Sequence, residues 1–276
     1  MNSSDQPLNT PILVMDSGVG GLSIVQEIQR LSPERSVLYL ADNAAFPYGD
    51  KSESWLVERV VALALALVHR YPIQLMVLGC NTASTVVLPA LRAALNIPVV
   101  GVVPAIKPAA YLSKTKHIGL LATPGTVTRS YTDQLITNHA EHCQVSRLGT
   151  TEVVKLAEDK LAGRAVDLDR LLQAVQPLFQ VSSIDTIVLG CTHFPLLKAE
   201  LEQISPRPIT WVDSGSAIAR RVEELLSSAT LQKHKAQHKA LLTAEVTLGS
   251  QLYQSLNQLG FDEVEVFEVS SLGALA

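Results

Sequence analysis

Short apolar runs, rich in β-branched residues, alternate along this chain with longer segments whose apolar positions recur at helical spacing. The runs predict strands at Pro11–Met15, Val37–Leu40, Ile73–Leu78, Val99–Val102, His117–Leu121, Ile184–Leu189, Ile209–Trp211 and Ala244–Thr247. Several are apolar at successive positions rather than at alternate ones, which is the pattern of strands covered on both faces of a parallel sheet. The intervening segments predict helices at Gly21–Leu31, Glu53–Arg70, Ser84–Leu95, Val127–Asn138, Val153–Leu161, Leu168–Gln180, Leu196–Gln203, Ala217–Leu226 and Gln251–Leu259. Regular alternation of this kind builds an α/β fold.

The pattern also repeats. IQLMVLGCNTAS (residues 73–84) is similar to IDTIVLGCTHFP (residues 184–195). Each gives an apolar strand, Leu-Gly-Cys, polar residues and then a helix. VMDSGVGG from Val14 and WVDSGSAI from Trp211 form a second pair. Two similar halves account for both. The expectation is two similar doubly wound parallel-sheet domains related by pseudo-symmetry, with a site in the cleft between them. Gly101–Pro108, with two prolines, would carry the first crossing, and the chain would return near Asp213. The first domain is then discontinuous, residues 1–103 with 214–276, and the second spans 104–213. The polar stretch Leu231–Lys239 reads as a loop.

Composition narrows the class. The chain has 276 residues, 47% of them hydrophobic, enough for a substantial core. A net charge of −4 and the lack of any basic cluster predict no nucleic-acid partner. The most apolar stretch, Val60–Val68, is at most half of the ~20 residues a membrane span needs, so no membrane association is expected. The segment MNSSDQPLNT is polar, lacks the apolar centre of an export signal, and reads as a frayed extension. Three cysteines cannot form a disulfide framework, which fits reduced thiols in a cytoplasmic enzyme.

Two of those cysteines carry the candidate chemistry. Cys80 ends a buried strand and precedes Asn81, Thr82 and a helix, the sheet edge at which open α/β folds build sites. A helix N-terminus favours thiolate over thiol and offers N–H groups to a carboxylate. Alone, such a cysteine is more often a small buried apolar residue. Cys191, followed by Thr192 and His193, stands in the same setting in the other half. Facing thiols could take a proton from one side of a carbon and return one to the other, as inversion of an acidic stereocentre requires. Zinc would need further ligands, and only His193 is near, so no metal is expected. A pyridoxal enzyme would need a lysine in a site motif, whereas Lys107 and Lys198 read as surface helix residues, so no cofactor is expected.

Other segments reach the same sheet edge. MDSGVGGLS (residues 15–23) permits a tight turn and close backbone approach but lacks the spacing of a nucleotide fingerprint. Asp16 would orient a thiol or a substrate ammonium, or else cap the next helix. The turn at Pro47, Tyr48 and Gly49 could present N–H groups, with Asp50 and Glu53 boxing the following helix. Thr123 and Thr126 add hydroxyls after another strand, and His193 could be the proton partner of Cys191. Cys143 lacks the strand–Gly–Cys setting and reads as a bystander.

Taken in order, DSGVGGLS, FPYG, CNTAS, ATPGTV, LGCTHFPLL and VDSG resemble the bacterial glutamate racemases of the cofactor-independent aspartate/glutamate racemase superfamily. The resemblance runs from about Pro11 to Arg221 and weakens after Leu226. Asn43 stands where many members carry threonine. The resemblance implies L-/D-glutamate interconversion, with Cys80 acting on the face of the D-isomer and Cys191 on that of the L-isomer. It implies substrate contacts from Asp16, Ser17, Tyr48, Gly49, Asn81, Thr82, Thr192 and His193, with Thr123 and Thr126 further contacts. It implies that Asp16 and His193 assist the nearer cysteine, that Glu152 stands where an acid has been implicated, and that D-glutamate goes to peptidoglycan for cell-wall biogenesis. Oligomeric state is left open, a homodimer among the options. Some proteobacterial members respond to a cell-wall precursor, so an activator of that class is a further expectation. Two rivals stand beside this reading: a racemase of another acidic amino acid such as aspartate, and a non-catalytic protein that only binds an anion.

Overall fold

The computed structural model describes residues 10–227, 236–246 and 251–268. In chain order the strands are β1 (Ile12–Asp16), β2 (Val37–Ala41), β3 (Leu75–Leu78), β4 (Val99–Gly101), β5 (His117–Ala122), β6 (Gln144–Gly149), β7 (Thr186–Leu189), β8 (Thr210–Val212), β9 (His238–Leu242) and β10 (Phe261–Val266). The helices are α1 (Leu22–Leu31), α2 (Glu53–Arg70), α3 (Asn81–Ala94), α4 (Ile106–Leu112), α5 (Pro124–Thr128), α6 (Ser130–His139), α7 (Glu152–Leu161), α8 (Leu168–Phe179), α9 (Lys198–Ile204), α10 (Gly215–Leu226) and α11 (Gln251–Gln258).

The strands form two parallel sheets, ordered β10-β9-β2-β1-β3-β4 and β6-β5-β7-β8. The run β2-β1-β3-β4 in one has the order of β6-β5-β7-β8 in the other. Strands β3 and β7, which end in the two Leu-Gly-Cys sequences, therefore occupy equivalent places, as the repeat predicts. The second similarity is not of this kind. VMDSG belongs to the central strand β1, whereas WVDSG belongs to the edge strand β8 and opens α10.

Each sheet is covered on both faces. In β1, Leu13 and Met15 join the core that packs under α2 and α3, while Ile12 and Val14 join the core under α1 and α10. The second sheet likewise divides its side chains between two cores. Full burial of each Leu, Ile or Val contributes roughly 1.5–3 kcal/mol, so continuous apolar runs are what this position selects. Helix α10 packs against α1, and β9 pairs with β2, so the chain after β8 rejoins the first sheet.

The structure departs from the pattern in specific places. The strand expected at Ala244–Thr247 is absent over 244–246; it lies earlier, as β9, and residue 247 falls outside the described residues. The Asn43 side chain instead clasps Ala244, donating to its carbonyl at 3.0 Å and accepting from its N–H at 2.9 Å. The loop expected at 231–239 becomes strand from His238, with 231–235 outside the described residues. Most of the expected frayed extension, residues 1–9, is outside them too. Helix α4 lies where only a crossing was expected; Pro108 sits in its first turn, where a helix N–H needs no partner. The helix expected at Val127–Asn138 is two, α5 and α6, broken at extended Arg129.

Candidate active site

Strand β3 delivers Cys80 as the N-cap of α3, in extended conformation (φ −124°, ψ 116°). Strand β7 delivers Cys191 to a bend instead, and the next regular element is a short 3-10 turn, Phe194–Leu197. The helix expected at Leu196–Gln203 follows that turn two residues late, as α9. Both sulfurs are free and more than nine-tenths buried. Both line one cavity of about 280 Å³, just below the roughly 300–1,000 Å³ of drug-sized pockets, which suits a small ligand.

All ten site residues expected from sequence line this cavity: Asp16, Ser17, Tyr48, Gly49, Cys80, Asn81, Thr82, Cys191, Thr192 and His193. Thr123 also lines it. Thr126 does not; it lies one step behind, with Oγ1 3.0 Å from that of Thr123, which is itself 3.0 Å from that of Thr82. Cys143 lies in a separate core of the second sheet.

Asp16 is fully buried and does not cap α1, whose N-cap is Gly21. Its Oδ1 accepts from the Ser17 hydroxyl and the Gly18 N–H, both at 3.1 Å. Its Oδ2 accepts from Thr192 Oγ1 at 2.8 Å, reaching across to the other sheet's residues. Burial pushes the Asp16 carboxyl up, against the opposing pull of His193 and these hydrogen bonds. Tyr48 donates its hydroxyl to buried Asp42 at 2.7 Å, which also accepts from Arg59 and Thr243. The cap of α2 is Ser52, whose side chain accepts from the Trp55 N–H; Asp50 stands in a 3-10 turn and lines the cavity.

The surroundings of the two thiols differ. Burial pushes the Cys80 thiol well up; the Asp16 carboxylate adds to this, the Ala83 N–H opposes it, Cys191 adds, and the Ser17 hydroxyl opposes. Beside Cys191, His193 Nδ1 lies 3.8 Å from Sγ, and its Nε2 lies 2.7 Å from Glu158 Oε1. Burial works against a charge on His193, but Cys191, Glu158 and Asp16 together raise it well above the ordinary imidazole value. The glycine-rich segment serves this pair. A Cβ on Gly20 would stand 2.4 Å from His193 Nδ1, and one on Gly18 would stand 2.9 Å from Glu158 Oε1. Those glycines admit the opposite half of the protein, not a nucleotide.

The acid facing His193 is Glu158, not Glu152. Glu152 is turned to Arg170 and does not line the cavity. Sequence reasoning also missed Thr151, Val154 and Lys155 on the same helix face, and Phe46 and Asp50 on the loop. Residues 151, 154, 155 and 158 fall at i, i+3, i+4 and i+7, one stripe of α7 and its N-cap, which was the signal available. One further atom stands out: Asn81 Nδ2 is buried without a hydrogen-bond partner, and its residue lines the cavity. Such a donor costs ~1–3 kcal/mol unless a ligand supplies its acceptor.

Among the described residues, no group of three or more His, Cys, Asp or Glu side chains is arranged to hold a metal ion, and no helix is long and apolar enough to cross a membrane.

Comparison with known proteins places this geometry. Glutamate racemase of Escherichia coli K12 is 51% identical over 260 residues, 94% of this chain and 91% of that protein. The crystal structure of E. coli glutamate racemase in complex with L-glutamate and the activator UDP-MurNAc-Ala has a TM-score of 0.88 and 49% identity, covering 94% of this chain and 99% of that one. Glutamate racemase from Bacillus anthracis has a TM-score of 0.80 at 29% identity, covering 95% and 97%. The profile of the Asp/Glu/Hydantoin racemase family matches residues 12–222. The chain belongs to the Asp/Glu/Hydantoin racemase family.

Proposed function

We propose that this protein is a glutamate racemase that interconverts L- and D-glutamate by a two-base route, supplying D-glutamate for peptidoglycan. The observation that carries the reading is two unpaired, buried thiols, delivered by equivalent strands of two sheets to a single small cavity. In this scheme one thiolate removes the α-proton from its own face of the substrate. The electron pair left on Cα spreads into the adjacent carboxylate. The opposite thiol then delivers its proton to the other face, leaving the two sulfurs with exchanged roles. Cys80 is the base for the D-isomer and Cys191 for the L-isomer.

The remaining lining supports that assignment. The first turn of α3, with Asn81, Thr82 and neighbouring Thr123, offers donors to a carboxylate, and the orphan amide of Asn81 is the clearest of them. Asp16 and Ser17 can receive the ammonium, while Tyr48, Gly49 and Thr192 bound the cavity. His193, held by Glu158, is the proton partner of Cys191. The dense donors favour an anionic ligand over an apolar one, and they hold charge where the transition state develops it. These contacts use protein groups alone.

Several finer points belong to the same proposal. Residues 1–103 with 214–276 form one domain and 104–213 the other, which the return of α10, β9 and β10 to the first sheet supports. Free thiols suit a cytoplasmic location. An activator of the UDP-MurNAc-Ala class is expected, since E. coli glutamate racemase binds one. The substrate is tested by following optical rotation of L-glutamate and of L-aspartate with purified protein, with and without UDP-MurNAc-Ala. Loss of rotation with glutamate only is expected; turnover of aspartate only would reassign the substrate, and binding without turnover would leave a ligand-binding protein.

A further inference from the structure

Behind Cys80 the two halves of the protein are joined by one cation. Arg129, at the break between α5 and α6, extends its guanidinium to the first turn of α3. Its Nη1 donates to the Thr82 carbonyl and, at 2.7 Å, to Thr85 Oγ1. Its Nε lies 3.5 Å from Glu53 Oε1 on α2. Arg129 does not line the cavity, and no sequence motif singled it out.

Burying a guanidinium is costly unless its donors are satisfied. The Glu53 carboxylate does little toward this: its side chain is 67% exposed and the contact is long. The short contacts are those on α3. They fall on the turn that presents Asn81 and Thr82 to the cavity and is capped by Cys80. The Thr82 carbonyl already accepts from Thr85 Oγ1 at 2.8 Å, so Arg129 Nη1 closes a carbonyl–hydroxyl pair rather than adding a loose surface bond. Burial lowers the Arg129 pKa, while Glu53 and Cys80 raise it, so the cation and the thiol share a field. Asp16 on β1, Cys191 after β7, Tyr39 on β2 and Tyr48 on the loop are coupled to Cys80 as well, and Arg129 brings a positive charge to that group.

We infer that Arg129 is a positioning residue for the reaction, clamping the first turn of α3 from across the cleft while keeping a fixed positive charge behind Cys80. The inference rests on the reading of Cys80 as one of the two acid/bases. It implies that the second half of the protein sets the geometry and the charge of a thiol carried by the first.

The test compares Arg129→Met, Arg129→Lys and Thr85→Val with the full wild-type chain. Turnover of glutamate is measured against pH, and alkylation of Cys80 by iodoacetamide is followed by peptide mass spectrometry across the same range. Arg129→Met is expected to lower kcat by roughly 10–10²-fold at neutral pH, the scale of a small misplacement in a site. The rate of Cys80 alkylation at a fixed pH should fall several-fold, because a nearby cation favours the thiolate that reacts. Arg129→Lys should hold that rate near wild type yet lose part of kcat, since its shorter stem places the charge without repeating both contacts to α3. Thr85→Val should keep the alkylation rate and lose only a few-fold in kcat. An unchanged Cys80 alkylation rate in Arg129→Met, whether kcat holds or falls together with thermal stability, would overturn the inference. The alkylation arm uses no glutamate, so it fails or succeeds independently of the substrate assignment.

Discussion

Cys80 and Cys191 end equivalent strands in sheets of matching order, yet the two are supported by different physics. Cys80 has a 14-residue helix beginning at it, with the buried Asp16 carboxylate nearby. Cys191 has no such helix. It has an imidazole 3.8 Å away, and that imidazole is held by a carboxylate at 2.7 Å. Backbone dipoles and an imidazole–carboxylate pair are alternative ways of making a buried sulfur able to trade a proton. Repetition of the fold fixed where the thiols stand, and the residues that arrive from elsewhere fixed how each is served.

Removal of either sulfur gives the largest expected effect. Cys80→Ala and Cys191→Ala should each lower turnover by ~10³-fold or more, at the upper range for one acid/base group, while circular dichroism shows an intact fold. If one variant kept near-native turnover, the comparison would lose one of its two sides.

Next come the variants confined to the Cys191 side. His193→Gln should lower kcat by ~10²-fold and leave Cys80 alkylation unchanged. Glu158→Gln should be milder, about tenfold, and should move the alkaline limb of the pH–rate profile to lower pH, because the carboxylate helps His193 keep its proton. The sign also applies to stability. His193 is raised in the folded protein, so its contribution is complete below the ordinary 6.5 and fades as pH rises through the higher folded value. Urea denaturation from pH 6 upward should therefore show less loss in Glu158→Gln than in wild type. An alkaline limb that stayed in place would detach Glu158 from the pair.

The smallest effect is expected on the Cys80 side, at Asn81. Asn81→Ala removes a buried donor that has no hydrogen-bond partner within the protein, so thermal stability should hold or rise slightly. KM for glutamate should rise roughly 2–10-fold with kcat little changed, as for loss of one hydrogen bond to bound substrate. A kcat loss with constant KM would assign the amide to the transition state instead.

Much of this was legible in the residues, for reasons that particular elements illustrate. β1, β3, β5 and β7 are covered on both faces, so each is written almost wholly in apolar residues. β6 and β10 were missed because they are edge strands with exposed, polar positions, QVSRLG and FDEVEV. β9 was placed too late because its opening His238 and Lys239 read as loop, although Lys239 makes ion pairs with Glu263 and Glu265 of β10. In the site, strand-end cysteines and glycines stand in recognisable local sequence. The α7 face does not: Thr151, Lys155 and Glu158 look like a solvated helix surface, and only the tertiary fold sets Thr151 and the exposed Lys155 on the cavity wall and Glu158 against His193. Placing an acid at Glu152 shows the limit of analogy without coordinates, since two acids six residues apart point to Arg170 and to His193.

The most direct test of the two-sided scheme follows deuterium from solvent into each enantiomer at early turnover. With L-glutamate in D2O and no added cofactor, the D-glutamate formed first should carry deuterium at Cα, while the remaining L-glutamate keeps protium, because separate sulfurs serve the two faces. Deuterium entering the L-glutamate pool as fast as product forms, or D-glutamate that retains its original proton, would show a single group serving both faces and would contradict the account.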